Sequence, residues 1–273
     1  MKNIKEAPFL QEITRLTSNM YRLGWDERNG GNVSYLVTEE ELKDYIDFSV
    51  IRTLPLNFHA PELAGKIYLV TGTGCYFKNM ELFPETNLGL IRITEDGDNA
   101  ELLWGFEDGG RPTSELPSHL MGHVERLKID ENQRIVIHCH PTNTIAMTLT
   151  ESLDEKEFSK KLWRANTECI VVFPEGVGVL PWQLCGTTEI GVDTSKKMKD
   201  FRTVVWANHG IFGTGTTVDE AFGLIETVEK TAQIYMIARS VGPIMNTITD
   251  AQLKELTDAF GVTGSVKEGW LEA

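Results

Sequence analysis

Positive charge is scarce in this chain. Its 273 residues carry 26 Lys and Arg against 40 Asp and Glu, a formal net charge of −14. Such a surface repels phosphate backbones and anionic headgroups, so nucleic acid and membrane are set aside as partners. Any anionic ligand must then be held by a local constellation. Long apolar runs are missing as well. No stretch approaches the roughly 18 apolar residues of a membrane span, and residues 1–8 have no signal-like apolar run, so a cytoplasmic protein is expected. Cysteine is limited to Cys75, Cys139, Cys169 and Cys185, in no CxxC or zinc-ribbon spacing, which predicts free and mostly buried thiols. Repeats, low-complexity tracts and Pro/Gly/Ser-rich linkers are absent, while 41% hydrophobic and 24% charged residues are globular proportions. Residues 1–273 therefore read as one domain, enlarged by an acidic, weakly patterned surface insertion near 38–64.

Periodicity supplies the elements. Leu10, Ile13, Leu16, Met20 and Leu23 follow Pro8 at helical spacing. β-rich runs occur at 32–37, 67–71, 88–94, 101–106, 134–140, 169–173 and 203–207, with Glu95-Asp96-Gly97-Asp98 as a hairpin turn. Helical patterns fall at 114–128, 142–150, 154–165, 217–241 and 250–260. The economical arrangement is an α/β fold with a single central, largely antiparallel sheet flanked by helices on both faces.

Histidine is where chemistry would concentrate. His138 and His140 flank Cys139 at the end of the apolar run Ile135-Val136-Ile137, and strand residues two apart share a face. Their imidazoles can converge on one cation while Cys139 packs behind. His209 closes a second β-rich run, and three His from two strand ends would leave a coordination position open for substrate. Satisfied strand-end histidines are the alternative. His119 and His123 stand four apart on the predicted helix, but Leu120 takes the place where the H-E-x-x-H pattern needs Glu. They read as packing or surface residues, and His59 in the insertion as solvated.

Three turns offer hydrogen-bond donors. Asp26-Glu27-Arg28-Asn29-Gly30-Gly31-Asn32, Thr71-Gly72-Thr73-Gly74 and Thr113-Ser114-Glu115 combine small polar side chains with exposed backbone N–H groups that can form anion-binding nests. None has P-loop or dinucleotide-fingerprint spacing. Glu115, between Pro112 and Pro117, is either a first-turn Glu favoured by the helix dipole or a general base beside the anion site.

Taken in order, Asn29-Gly30-Gly31-Asn32, Val70-Thr71-Gly72-Thr73-Gly74, Pro112-Thr113-Ser114-Glu115, His138-Cys139-His140 and Asn208-His209-Gly210 resemble the class II, zinc-dependent sugar-phosphate aldolases and their epimerase relatives over most of the chain. Residues 24–29, 167–174 and the inserted segment narrow the resemblance to one branch. The resemblance implies one Zn²⁺ per subunit on His138, His140 and His209, with Glu115 as catalytic acid/base. It implies phosphate binding by Asn29, Gly31, Asn32, Thr73, Gly74, Thr113 and Ser114. Glu168 resembles a second functional carboxylate at the aldehyde end of the substrate, in its own or a neighbouring subunit's site, with a strand-start ion pair as the alternative. The implied reaction is reversible retro-aldol cleavage of a small phosphorylated ketose to dihydroxyacetone phosphate and an aldehyde, in a homotetramer. A Schiff-base aldolase needs a desolvated strand lysine, and the runs 135–138, 169–173 and 204–207 contain none. A pentulose-5-phosphate 4-epimerase and a non-enzymatic interaction module on the same fold are the remaining alternatives.

Overall fold

The computed structural model describes residues 1–271. Helix α1 (Pro8–Leu23) starts with Pro in its first turn and ends at Gly24 in the left-handed region (φ 73°), a conformation glycine adopts without steric penalty. There follow β1 (Asn32–Val37), α2 (Glu39–Leu42), β2 (Arg52–Pro55), β3 (Ile67–Thr71), α3 (Pro84–Asn87), β4 (Leu88–Ile93) and β5 (Asn99–Gly105). Then come α4 (Leu116–Ile129), β6 (Ile135–Cys139), α5 (Thr142–Thr150), α6 (Glu155–Ala165), α7 (Thr167–Val172) and β7 (Gly178–Leu180). The chain continues through α8 (Thr188–Met198), β8 (Thr203–Trp206), β9 (Gly210–Gly215), α9 (Val218–Val241) and α10 (Asp250–Ala259).

The strands form one nine-stranded sheet in the order β2-β5-β4-β3-β1-β6-β9-β8-β7. Every pairing is antiparallel except β7 with β8, in agreement with the expected fold class. Alternation along the strands sorts the core. Ile135, Ile137 and Cys139 of β6 join Val33 and Tyr35 of β1 under α1, α5, α6, α7 and α9. On the opposite face, Val136 packs with Ile190 and Met198 of α8, and Leu116 and Leu120 of α4 cover Tyr68, Val70, Ile91 and Leu102. His138 shares the Val136 face, so it looks toward α4 and α8 while Cys139 is buried behind the sheet.

The acidic segment read as a surface insertion does more than decorate the sheet. It lays β2 along β5 as an edge strand and buries Leu56, Phe58 and Leu63. The run 169–173, expected as a strand, is helical: the Asn166 side chain accepts a hydrogen bond from the Glu168 N–H and caps α7. Five apolar residues are too few for periodicity to separate a buried strand from one buried turn of helix, and the cap decides. Strands β7 and β9 were also not expected. Glycines hid β9 by lowering its apparent strand propensity, yet they are required there, since a Cβ on Gly213 would stand 2.7 Å from the carbonyl oxygen of Ala221 where α9 crosses the sheet. No helix among the described residues is long and apolar enough to cross a membrane.

Candidate active site

The three histidines meet. His138 is the penultimate residue of β6, His140 follows the strand, and His209 sits in the tight turn between β8 and β9, where Asn208 takes a positive φ of 63°. Ring centroids lie 5.1, 5.0 and 4.9 Å apart, and one nitrogen from each ring falls within 4.8 Å of the others. Glycine permits this crowding, because a Cβ on Gly210 would stand 3.0 Å from both His138 and His140 and 2.3 Å from the Cys139 carbonyl oxygen.

The second nitrogens fix the rings. His138 donates from Nδ1 to the Ile211 carbonyl at 3.1 Å, which aims Nε2 inward, fully buried and without a hydrogen-bond partner. His140 Nδ1 lies 3.0 Å from both carboxylate oxygens of Glu27. Burial and the neighbouring imidazoles push the His138 pKa well down, and burial followed by His140 lowers His209 to about 4. Three converging imidazoles, with the orphaned Nε2 of His138 among them, are a donor set that fits a divalent cation, with room for substrate oxygens in the remaining positions. The Glu27 carboxylate behind His140 holds the ring's orientation through Nδ1, as carboxylates commonly do for imidazoles that bind metal.

Glu115 completes the cluster. It stands at the start of α4, 7% exposed, with Oε2 3.4 Å from His138 Nε2 and Oε1 3.6 Å from His209 Nε2. Burial raises its pKa, and the hydrogen bond donated by Asn32 Nδ2 to Oε2 at 2.7 Å opposes that rise. A buried, directed carboxylate with its proton affinity tuned upward is suited to acid/base work. Cys185 also approaches, its Sγ lying within 4.8 Å of a Glu115 oxygen and a His209 nitrogen.

The expected phosphate donors are only partly gathered. Thr73, Thr113 and Ser114 line a cavity of about 340 Å³ together with Arg111, Gly186 and Thr188. The backbone N–H groups of Thr73 and Thr113 bond to the carbonyls of Arg111 and Thr71, so their hydroxyls are the groups left to offer. Asn29, Gly31 and Gly74 do not line this cavity. Asn32 is buried, with its amide nitrogen on Glu115 and its oxygen on His119, leaving one amide hydrogen to give. Glu168 is exposed at the start of α7 and faces another cavity of about 810 Å³, with Trp25, Asn143, Glu226 and Glu229 but none of the three histidines.

Sequence reasoning overlooked Glu27, Arg111 and the connection of Asn32 to Glu115. Arg111 stands two residues before Thr113, a signal within reach; Glu27 bonds a residue 113 positions away, which no local pattern reveals. His119 and His123, given as packing or surface residues, are fully buried and hydrogen-bonded to Ser34, whereas His59 is exposed beside Asp98 as expected. Among the described residues the one buried lysine, Lys160 on α6, is held 2.8 Å from Asp250 in an ion pair rather than standing free as a Schiff-base amine must.

One nine-stranded sheet thus carries three converging imidazoles beside a buried carboxylate, and the fold is that of the class II aldolases. The family model described as Class II Aldolase and Adducin N-terminal domain matches residues 11–236, and the chain belongs to that family. Within it, the chain is 55% identical to a rhamnulose-1-phosphate aldolase of Listeria monocytogenes over 99% of its own length and 98% of that protein. It is 52% identical to the Enterococcus faecalis protein of the same name, over 99% and 96% of the two chains. A sugar-phosphate aldolase from Thermotoga maritima superposes with a TM-score of 0.75 at 26% identity, covering 86% of this chain and 97% of that one.

Proposed function

We propose that the chain cleaves L-rhamnulose 1-phosphate reversibly to dihydroxyacetone phosphate and L-lactaldehyde, with Zn²⁺ on His138, His140 and His209 and with Glu115 as acid/base. The observation that carries the reading is the placement of the buried Glu115 carboxylate 3.4 and 3.6 Å from two of three mutually facing imidazoles. Full-length similarity to rhamnulose-1-phosphate aldolases supports the choice of substrate. When bound, the ion would supply Lewis acidity to the carbonyl and hydroxyl oxygens of the ketose.

The protein's own groups do the rest. Asn32 holds Oε2 of Glu115, leaving Oε1 free of that bond; as the C3–C4 bond breaks the C4 hydroxyl gives up its proton to become the aldehyde oxygen, and Glu115 returns a proton to C3, removing it again in the synthetic direction. Thr73, Thr113, Ser114 and Arg111 receive the phosphate in their cavity, and Asn29, Gly31, Asn32 and Gly74, which lie outside its lining, add donors from the turns at 26–32 and 71–74. One cation and neutral donors there offset the net charge of −14. Glu168 acts at the aldehyde end of a neighbouring subunit's site in a homotetramer, since its own cavity holds none of the three histidines. The enzyme works in the cytoplasm.

Mixing the protein with dihydroxyacetone phosphate and L-lactaldehyde should yield rhamnulose 1-phosphate. Interconversion of pentulose 5-phosphates without net aldehyde release would favour the epimerase instead.

A further inference from the structure

Glu115 immediately before α4 and His119 and His123 within it stand four residues apart, and β1 carries Asn32 and Ser34 two apart, so one face of each element presents a polar stripe to the other. The stripes interleave. Asn32 bonds both Glu115 and His119, and Ser34 Oγ lies 2.8 Å from His119 Nδ1 and 2.9 Å from His123 Nε2. All five residues are buried, at 7% exposure or less. Polar side chains placed in a core need a reason, because a partly satisfied polar network is destabilising.

The network has a direction. Burial lowers both imidazoles to about 3, so each is neutral and carries one N–H and one lone pair. Asn32 donates its amide to the Glu115 carboxylate, which turns its oxygen toward His119 and requires an N–H on His119 Nε2. His119 Nδ1 then accepts from the Ser34 hydroxyl, and Ser34 accepts from His123 Nε2–H. Reversing the amide would set the Asn32 oxygen against the Glu115 carboxylate, two acceptors face to face.

We infer that His119 is a positioning residue for the reaction proposed above: locked in its Nε2–H tautomer by Ser34 and His123, it holds the Asn32 amide in the one orientation that donates to Glu115 and fixes that carboxylate against the three histidines. The inference rests on Glu115 acting as the base, but not on the identity of the aldehyde.

The test reads proton exchange at C3 of dihydroxyacetone phosphate in D₂O, which needs no aldehyde. His119→Leu removes the donor and should slow exchange at saturating dihydroxyacetone phosphate about 10- to 100-fold, the scale of a misplaced catalytic group. KM should rise less than the rate falls and metal content stay unchanged, because Thr73, Arg111, Thr113 and Ser114 of the phosphate cavity and the three imidazoles keep their places and Asn32 is the one donor affected. His119→Gln, whose amide can donate to Asn32 and accept from Ser34, should recover most of the loss. Equal rates for Leu and Gln, or a change in KM alone, would overturn the inference. Nitrogen-15 NMR of the histidine-labelled wild type supplies a readout free of variants. Neutral Nε2–H forms are expected for His119 and His123 between pH 6 and 8, and an Nδ1–H tautomer or a charged ring at His119 would also overturn it. Failure to accept L-lactaldehyde with both results intact would refute the substrate and leave the positioning role standing.

Discussion

Glu115→Gln is the substitution whose outcome the geometry specifies most closely. The amide has the carboxylate's shape, and its oxygen can take the Oε2 position and keep accepting from Asn32 Nδ2, now 2.7 Å away. The new NH₂ then falls where Oε1 stands, 3.6 Å from His209 Nε2, without displacing an imidazole. Folding should not suffer, since burial already disfavours the charge that the substitution removes. Metal content should likewise hold. What disappears is the proton acceptor, and positioned acid/base groups contribute about 10²- to 10⁴-fold. At about 1.36 kcal/mol per tenfold, that is roughly 2.7–5.5 kcal/mol of barrier. Cleavage is followed by release of dihydroxyacetone phosphate, and proton removal separately by deuterium entering C3. Both should fall together, with metal stoichiometry and the thermal midpoint unchanged. Deuterium exchange within about 10-fold of wild type in a fully metallated variant would refute the role of Glu115 as base.

Three further outcomes follow from the same geometry. Gly30→Ala would place a Cβ 2.8 Å from Cε1 and Nδ1 of His140, pushing the ring off Glu27; metal affinity measured against a competing chelator should drop about 10- to 100-fold, and an unchanged affinity would deny Glu27 its supporting role. His209→Ala removes a half-buried imidazole from the proposed metal site, so the variant should fold with native circular dichroism yet retain no stoichiometric metal; full occupancy would show that the ion sits elsewhere. Asp26 is buried with neither carboxylate oxygen hydrogen-bonded, and burial, followed by the charge of Glu27, raises it to about 7. A carboxylate raised in the folded state destabilises the fold above that pH and stops doing so as the pH falls toward its unfolded value near 3.9. Asp26→Asn should therefore stabilise the chain at pH 8 by on the order of 2–4 kcal/mol, with the gain shrinking toward zero near pH 4 in urea titrations; a constant gain would contradict the assignment.

Much of this molecule can be read from its sequence, and the exceptions have physical causes. His138 and His140 are legible because an apolar run ends in His-x-His, and strand alternation puts the two rings on one side. Glu115 is legible from its flanking prolines and the hydroxyl residues before it. By contrast, α7 and β2 were obscure because their runs are short and their structure is settled by a cap at Asn166 and an edge pairing with β5. The His119 and His123 spacing identifies a helix face, but their roles depend on Ser34, 85 and 89 residues away in sequence. Such partnerships are products of tertiary packing, and local patterns carry no trace of them.

The most direct measurement is cleavage of L-rhamnulose 1-phosphate by the purified chain before and after treatment with a strong chelator. Stoichiometric dihydroxyacetone phosphate and L-lactaldehyde are expected, with loss of turnover on chelation and recovery on adding Zn²⁺. Turnover that survives complete removal of metal, or a fully metallated protein that leaves the ketose intact, would contradict the proposed function.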